Sequence, residues 1–207
     1  STWSAPINLS NSLGIASQSP AIGVDSANTL HMLWQEVDDI FYRRSTDGGL
    51  TWSAATNLSN SGGIASQTPL IKISPTNQLY AVWKEDIDIV TRRSTDGGST
   101  WNPLVNISLT PTNAQQPSLT ITPTGILRIV WVEDNDIQWS QSTDGGNFWD
   151  FPVNLSNTAT VASQNPKILF SDNITHLVWQ ENTEIFYRKQ IEGQALWMSA
   201  INLSNNS

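Results

Sequence analysis

At 207 residues the chain is long enough to bury a substantial core, and its 18 acidic against 10 basic residues leave a net charge of −8, which argues against nucleic acid or an anionic membrane as partner. There is no cysteine, which excludes disulfides, Cys-ligated zinc and thiol catalysis, and no apolar run approaches the roughly 18 residues of a membrane-spanning helix. Charged residues make up only 14% while Trp occurs ten times, the profile of a polar, aromatic-rich β protein.

The chain opens at Ser1 rather than Met, as expected of a processed or excised product. Residues 2–10 read as a short strand whose Pro6 favours a sheet edge, and the same strand recurs at 51–59, 100–108, 148–156 and 196–204. Between copies lies a unit that occurs four times. It begins with a loop (11–19, echoed at 60–68), then a strand (20–24) and a turn rich in Asp, Ser, Asn and Thr (25–29). A second strand, 30–36, has apolar side chains on both faces, the mark of a sandwiched strand. A third, 40–44, runs into the turn Ser45-Thr46-Asp47-Gly48-Gly49-Leu50-Thr51-Trp52.

That turn returns at 94–101 and 142–149, and in altered form at 190–197, where Glu192 replaces the Asp and Gln194 the second Gly. The Asp is expected to accept bonds from the backbone of the turn it opens, and the glycines to supply positive φ. Asp47, Asp96, Asp144 and Glu192 are therefore structural candidates. The marker tryptophans Trp3, Trp52, Trp101, Trp149 and Trp197 are spaced 49, 49, 48 and 48 residues apart. Four strands per period predict an all-β fold, a β-propeller of four four-stranded blades over about 19–59, 68–108, 117–156 and 165–204 in one domain, 1–207. A β-sandwich with accidental repeats is the alternative. The outer strand 2–10 is surplus. It either closes the ring or pairs with a neighbouring chain, making a homo-oligomer.

The motif Ser/Thr-x-Asp-x-Gly-x-x-Trp resembles the Asp-box, or BNR repeat, of sialidase-like propellers. The flanking Trp-Ser-x-Pro-x-Asn-Leu-Ser and Asp-Ile-Phe-Tyr-Arg-Arg are similar to arrays of such repeats in microbial surface proteins, which implies an extracellular or cell-surface location. The resemblance also implies that the Asp-box is a folding element, shared by catalytic and non-catalytic members. Sialidases of that superfamily use an arginine cluster, a Tyr-Glu pair and an acid on the face opposite the Asp-boxes, with an Arg-Ile-Pro motif early in the chain. No Arg-Ile-Pro occurs here, so the expectation is a protein of the non-catalytic branch, not an enzyme.

In such a blade the loop between second and third strands lies opposite the Asp-box hairpin. Eleven of the 18 acids fall in these four loops: Glu36, Asp38, Asp39, Glu85, Asp86, Asp88, Glu133, Asp134, Asp136, Glu181 and Glu184. Each loop follows a Trp (Trp34, Trp83, Trp131, Trp179), and each link between blades carries a Gln (Gln18, Gln67, Gln116, Gln164). Indole, carboxylate and amide are what a saccharide pocket needs, so Trp34, Trp83, Trp131 and Trp179, Glu36, Glu85, Glu133 and Glu181, and the four glutamines are ligand-binding candidates. The competing reading places the indoles in the inter-blade core and the acids in solvated turns. No cofactor is expected, with Ca²⁺ at the acidic loops held only as an alternative. The pairs Arg43/Arg44, Arg92/Arg93 and Arg188/Lys189 are expected to bridge acids on adjacent strands, and His31 and His176 to be structural. Sequons at Asn8, Asn57, Asn106, Asn154, Asn173, Asn202 and Asn205 are glycosylation candidates or copies of one duplicated strand end. The reading that follows is a non-catalytic extracellular propeller that binds a glycan or cell-surface component; the alternatives are a sialidase-type glycoside hydrolase fragment and an assembly segment of a longer array.

Overall fold

Period-2 burial and glycine-bearing turns together dictate how this chain folds back on itself. The computed structural model describes residues 4–158 and 161–205, so Trp3 and the first residues of the surplus strand lie outside the described residues. Every element is a strand. Blade 1 comprises β1 (Ser17–Val24), β2 (Leu30–Glu36), β3 (Asp39–Ser45) and β4 (Thr56–Asn57). Blade 2 comprises β5 (Ser66–Ile73), β6 (Leu79–Glu85), β7 (Asp88–Ser94) and β8 (Val105–Asn106). Blade 3 has β9 (Gln115–Ile121), β10 (Leu127–Glu133), β11 (Asp136–Ser142) and β12 (Val153–Asn154). Blade 4 has β13 (Ser163–Ser171), β14 (Ile174–Glu181), β15 (Glu184–Ile191) and β16 (Ile201–Asn202). Each blade is one four-stranded antiparallel sheet with its strands in chain order, as predicted for a propeller.

The core sits between blades. Leu33, Ile40, Tyr42 and Leu58 of blade 1 pack against Ile71, Ala81, Trp83 and Val90 of blade 2, with Trp101 against them. Equivalent clusters join blade 2 to blade 3 and blade 3 to blade 4. Among the described residues no such cluster joins blade 4 to blade 1.

The repeated hairpin is closed by its own polar groups. Ser45 Oγ donates to Asp47 Oδ1 at 2.7 Å and accepts from the Gly49 N–H at 2.9 Å, while Asp47 accepts from the Thr51 N–H at 2.9 Å and from the Thr51 hydroxyl. Gly48 and Gly49 hold φ of 73° and 91°, a region that suits residues without Cβ. Blades 2 and 3 repeat the pattern through Ser94, Asp96 and Gly98, and through Ser142, Asp144 and Gly146. The Thr51 and Thr100 hydroxyls and N–H groups, with Ser45 and Ser94, draw the Asp47 and Asp96 carboxyls down to about 2. In blade 4 the amide of Gln190 replaces this arrangement, donating to the Gln194 and Ala195 carbonyls at 3.1 and 3.3 Å.

The surplus outer strand needs correction. Residues 4–10 form no strand; Pro6, Ile7 and Leu9 line a shallow cleft together with Gly49 and Trp52.

Candidate functional site

The face opposite the hairpins gathers the start of each inner strand, the turn between second and third strands, and the link from one blade to the next. Each turn begins with a left-handed residue: Val37, Asp86, Asp134 and Asn182, at φ of 56°, 54°, 51° and 51°. Each inner strand carries a bulge at the same height, with Ser19, Thr68, Gln116 and Asn165 at φ between 51° and 55°. A non-glycine residue in this region costs about 1–2 kcal/mol, and the bulge re-aims the strand end at the rim of the axis.

The bulge corrects one residue of the proposed site. Cross-strand pairs place Gln18 opposite Gln35, Gln67 opposite Lys84 and Gln164 opposite Gln180, and the equivalent pair in blade 3 is Gln115 with Val132. Gln115, not Gln116, therefore shares the position of Gln18, Gln67 and Gln164, and all four side chains are exposed. Gln116 occupies the bulge and accepts the Asn165 N–H at 2.7 Å, linking blades 3 and 4.

The tryptophans and glutamates of the sequence proposal have another task. Trp34, Trp83, Trp131 and Trp179 are buried between β-strands. Each indole N–H donates to the Glu two residues on, at 3.1 Å to Glu36, 2.9 Å to Glu85, 2.8 Å to Glu133 and 2.7 Å to Glu181. The same carboxylates accept hydroxyls of Ser17, Ser66, Thr112 and Ser163. The buried indoles offer no stacking face to a sugar, and at least one oxygen of each carboxylate is taken by protein donors.

The first acid of each third strand is also engaged. Asp39 accepts Asn57 Nδ2, Ser59 Oγ and the Ser61 N–H at 2.8, 2.8 and 3.1 Å. Burial alone would raise its pKa, but these donors outweigh burial and lower it; Asp136 is lowered likewise by Thr158, Ser156 and Asn154. Asn57 and Ser59 are two members of the repeated Asn-Leu-Ser, so that motif is a latch for the outer strand. Sequence reading registered the repetition but not this pairing. Asp38, Asp86 and Asp134 remain, exposed at the turn tips with carboxylates that make no hydrogen bond among the described residues. No group of three His, Cys, Asp or Glu is arranged to hold a metal among the described residues.

Among the described residues the arginine pairs make no ion pair with an acid. Arg44 Nη1 donates to the Gly97 carbonyl at 2.5 Å and Arg93 Nη1 to the Gly145 carbonyl at 2.8 Å, each tying a blade to the next hairpin. Among the described residues the close ion pairs are His31 with Asp25 and Arg128 with Glu192. His31, buried, bonds Tyr42 Oη through Nδ1 at 2.8 Å and Asp25 through Nε2 at 3.3 Å, and desolvation holds its pKa down despite that carboxylate. On the hairpin face, clefts of about 280 and 440 Å³ lie between blades 2 and 3 and between blades 3 and 4.

No family model matches the chain, and no curated protein matches it in sequence. Solved structures do match in fold. An α-L-arabinanase of Penicillium chrysogenum, complexed with arabinobiose, is 19% identical at a TM-score of 0.67, over 90% of this chain and 66% of its own. A GH93 α-L-arabinofuranosidase of Fusarium graminearum, also with arabinobiose, is 17% identical at a TM-score of 0.67, over 90% and 65%. The Hadza microbial sialidase Hz136 is 14% identical at 0.63, over 91% and 46%. The chain thus spans between 46% and 66% of the length of these glycosidases. The fold is of the propeller type they share. The expectation of a non-enzyme, based on a missing Arg-Ile-Pro, is overturned by these matches: the neighbours named for a function are glycoside hydrolases, including arabinan-directed ones as well as a sialidase.

Proposed function

We propose that the chain belongs to a glycoside-hydrolase-type propeller and engages a saccharide across the rim of the axis, on the face opposite the hairpins. The observation that carries this reading is the fourfold placement of exposed amides, Gln18, Gln67, Gln115 and Gln164, beside bulged strand ends on one rim. Amides both donate to and accept from sugar hydroxyls. Glycoside hydrolysis uses two carboxyl groups, one as acid and one as base or nucleophile. Asp38, Asp86 and Asp134 are exposed acids on this face whose carboxylates make no hydrogen bond among the described residues, whereas Glu36, Glu85, Glu133 and Glu181 each hold an indole through one oxygen. The Asp-box resemblance and the fold shared with an arabinanase, an arabinofuranosidase and a sialidase support the same reading, and an extracellular location fits glycan substrates.

The test is product release from arabinan, aryl α-L-arabinofuranosides and aryl sialosides, run beside a glycan array. Turnover that disappears in Asp86→Asn or Asp134→Asn, with binding weakened about tenfold in Gln67→Ala, is the expected outcome. Binding without turnover would remove the hydrolytic part of the proposal, and silence in both assays would remove all of it.

A further inference from the structure

On the hairpin face, successive blade boundaries are copies of one repeat, so departures from the copy are informative where several meet. Arg44 crosses from blade 1 to the Gly97 carbonyl at 2.5 Å, and Arg93 from blade 2 to the Gly145 carbonyl at 2.8 Å. Arg93 thereby stands between two small clefts of about 280 and 220 Å³, and lines both. Cross-strand pairing sets Arg44 opposite His31, Arg93 opposite Tyr80 and Gln141 opposite Arg128, so Gln141 is the blade 3 equivalent of these arginines. Its amide makes no hydrogen bond among the described residues and does not tie the next hairpin down. Between blades 3 and 4 the two clefts are accordingly one, of about 440 Å³, reaching from Glu192 and Gly193 on one side to Asp150 and Phe151 on the other.

The lining of this cleft departs from the repeat in chemistry as well. Trp139 stands where blade 2 has Thr91, Asp150 where it has Asn102, and Phe151 where it has Pro103. The Phe151 ring is 79% exposed, and the exposed Asp150 carboxylate makes no hydrogen bond among the described residues. Deeper in the wall, Arg128, Trp139 and Gln190 are 4%, 8% and 6% exposed, yet Arg128 Nε, Trp139 Nε1 and Gln190 Oε1 have no hydrogen-bond partner among the described residues. Buried polar groups are ordinarily paired, so two donors and an acceptor in one wall mark it as a polar binding surface. The Arg128 guanidinium is already engaged by Glu192 at 2.7 Å and by Thr175, which leaves Asp150 as the uncompensated charge of the cleft.

We infer that this cleft is a second saccharide site, for a short neutral sugar. The Phe151 ring supplies a stacking face, the Asp150 carboxylate accepts from hydroxyls, and the Gln141 amide both donates and accepts. The free carboxylate and the net charge of −8 select against acidic sugars. The site is independent of the rim, which lies on the opposite face of the propeller.

Amide and indole NMR of the labelled chain, titrated with arabinobiose, xylobiose and cellobiose and with digalacturonate as the acidic counterpart, tests this. At least one neutral disaccharide is expected to shift the Trp139 indole and the Gln141 side-chain amide with a Kd of about 1 mM, while digalacturonate leaves both in place. Phe151→Ala, at an exposed position, weakens that binding about fivefold. Gln141→Arg restores the tie made by Arg93, divides the cleft and abolishes the shifts, with unchanged amide positions in blades 1 and 2 showing that the variant is folded. The proposal is overturned by silence at these residues with every neutral disaccharide at about 10 mM, by equal shifts with digalacturonate, or by unchanged affinity in either variant. Shifts confined to Gln18, Gln67, Gln115 and Gln164 overturn this site and support the rim reading; shifts confined to the cleft do the reverse.

Discussion

The hairpins at residues 94–101 and 190–197 occupy the same place in blades 2 and 4, and different side chains hold them shut. The first is closed from within, by Ser94 and Asp96 on its own backbone. The second has only the Gln190 amide within it, and its acid turns outward: Glu192, where an Asp would stand, reaches Arg128 of blade 3 at 2.7 Å, and that arginine also donates to Thr175 and lies over the Phe170 ring at 5.4 Å. Gln194, at the second glycine position, does not adopt the left-handed backbone of Gly98. The difference teaches that the repeated motif is a replaceable fastener. When a blade loses it, a neighbouring blade can carry the turn, and the turn's stability becomes a property of the interface.

Alanine at a glycine of each hairpin gives the largest contrast. Gly98 sits at φ +81°, and a Cβ there would fall 1.9 Å from Tyr42 Oη and 2.6 Å from its Cζ. Tyr42 is buried and bonded to His31 at 2.8 Å, so it has little room to yield. Gly98→Ala should therefore cost about 3–5 kcal/mol, combining left-handed strain with overpacking. Gly193 has φ +82° but nothing within 4 Å of the added carbon, so Gly193→Ala should cost only about 1–2 kcal/mol. Urea titrations of the two variants decide this, and equal losses would refute the packing account.

Arg128→Met attacks the external tie. The guanidinium is buried while the Glu192 side chain is 34% exposed, so the usual cost of breaking a buried pair is discounted for screening to about 2 kcal/mol. Faster amide exchange at 190–197, with no change at 94–101, is the accompanying signature. Acceleration in both hairpins would show that Arg128 supports the whole sheet stack instead.

Acid separates the self-closed hairpins further. The folded-state pKa of Asp47 and of Asp96 is about 2, below the ordinary 3.8, so the stability each adds is present above pH 3.8 and is lost as pH falls through 2. Exchange at the Thr51 and Thr100 amides should rise together across that window. In Asp47→Asn the pH step should vanish at Thr51 and persist at Thr100. Persistence at both would assign the acid response to other groups.

The architecture was legible because a propeller repeats its punctuation. Ser-Thr-Asp-Gly-Gly at residues 45–49, 94–98 and, with one blade of shorter spacing, 142–146 specifies both turn and period, so four sheets in chain order follow from the residues alone. The site was less legible because its chemistry depends on which groups are already satisfied. Trp83 and Glu85 stand two apart in sequence and look like a sugar platform and an acceptor; only the fold shows the indole N–H spending that carboxylate. Gln115 and Gln116 are adjacent and identical, and only the bulge decides which one faces the rim. The arginine pairs failed for a related reason, since their partners are carbonyls of the next hairpin, which no residue type announces.

The smallest effect concerns the resting protein. Residues 186–204 should exchange amide hydrogens faster than residues 41–59, by a few-fold at most for groups inside the β-ladder. Two causes point the same way: the hairpin of blade 4 has the Gln190 amide in place of the Ser and Asp closure of the others, and Ile185 and Leu203 are uncovered where Ile40 and Leu58 are buried. Restoring the hairpin tells the causes apart. With Gln190→Ser, Glu192→Asp and Gln194→Gly combined, exchange at 190–197 slows if the altered hairpin is the cause and is unchanged if the open face is.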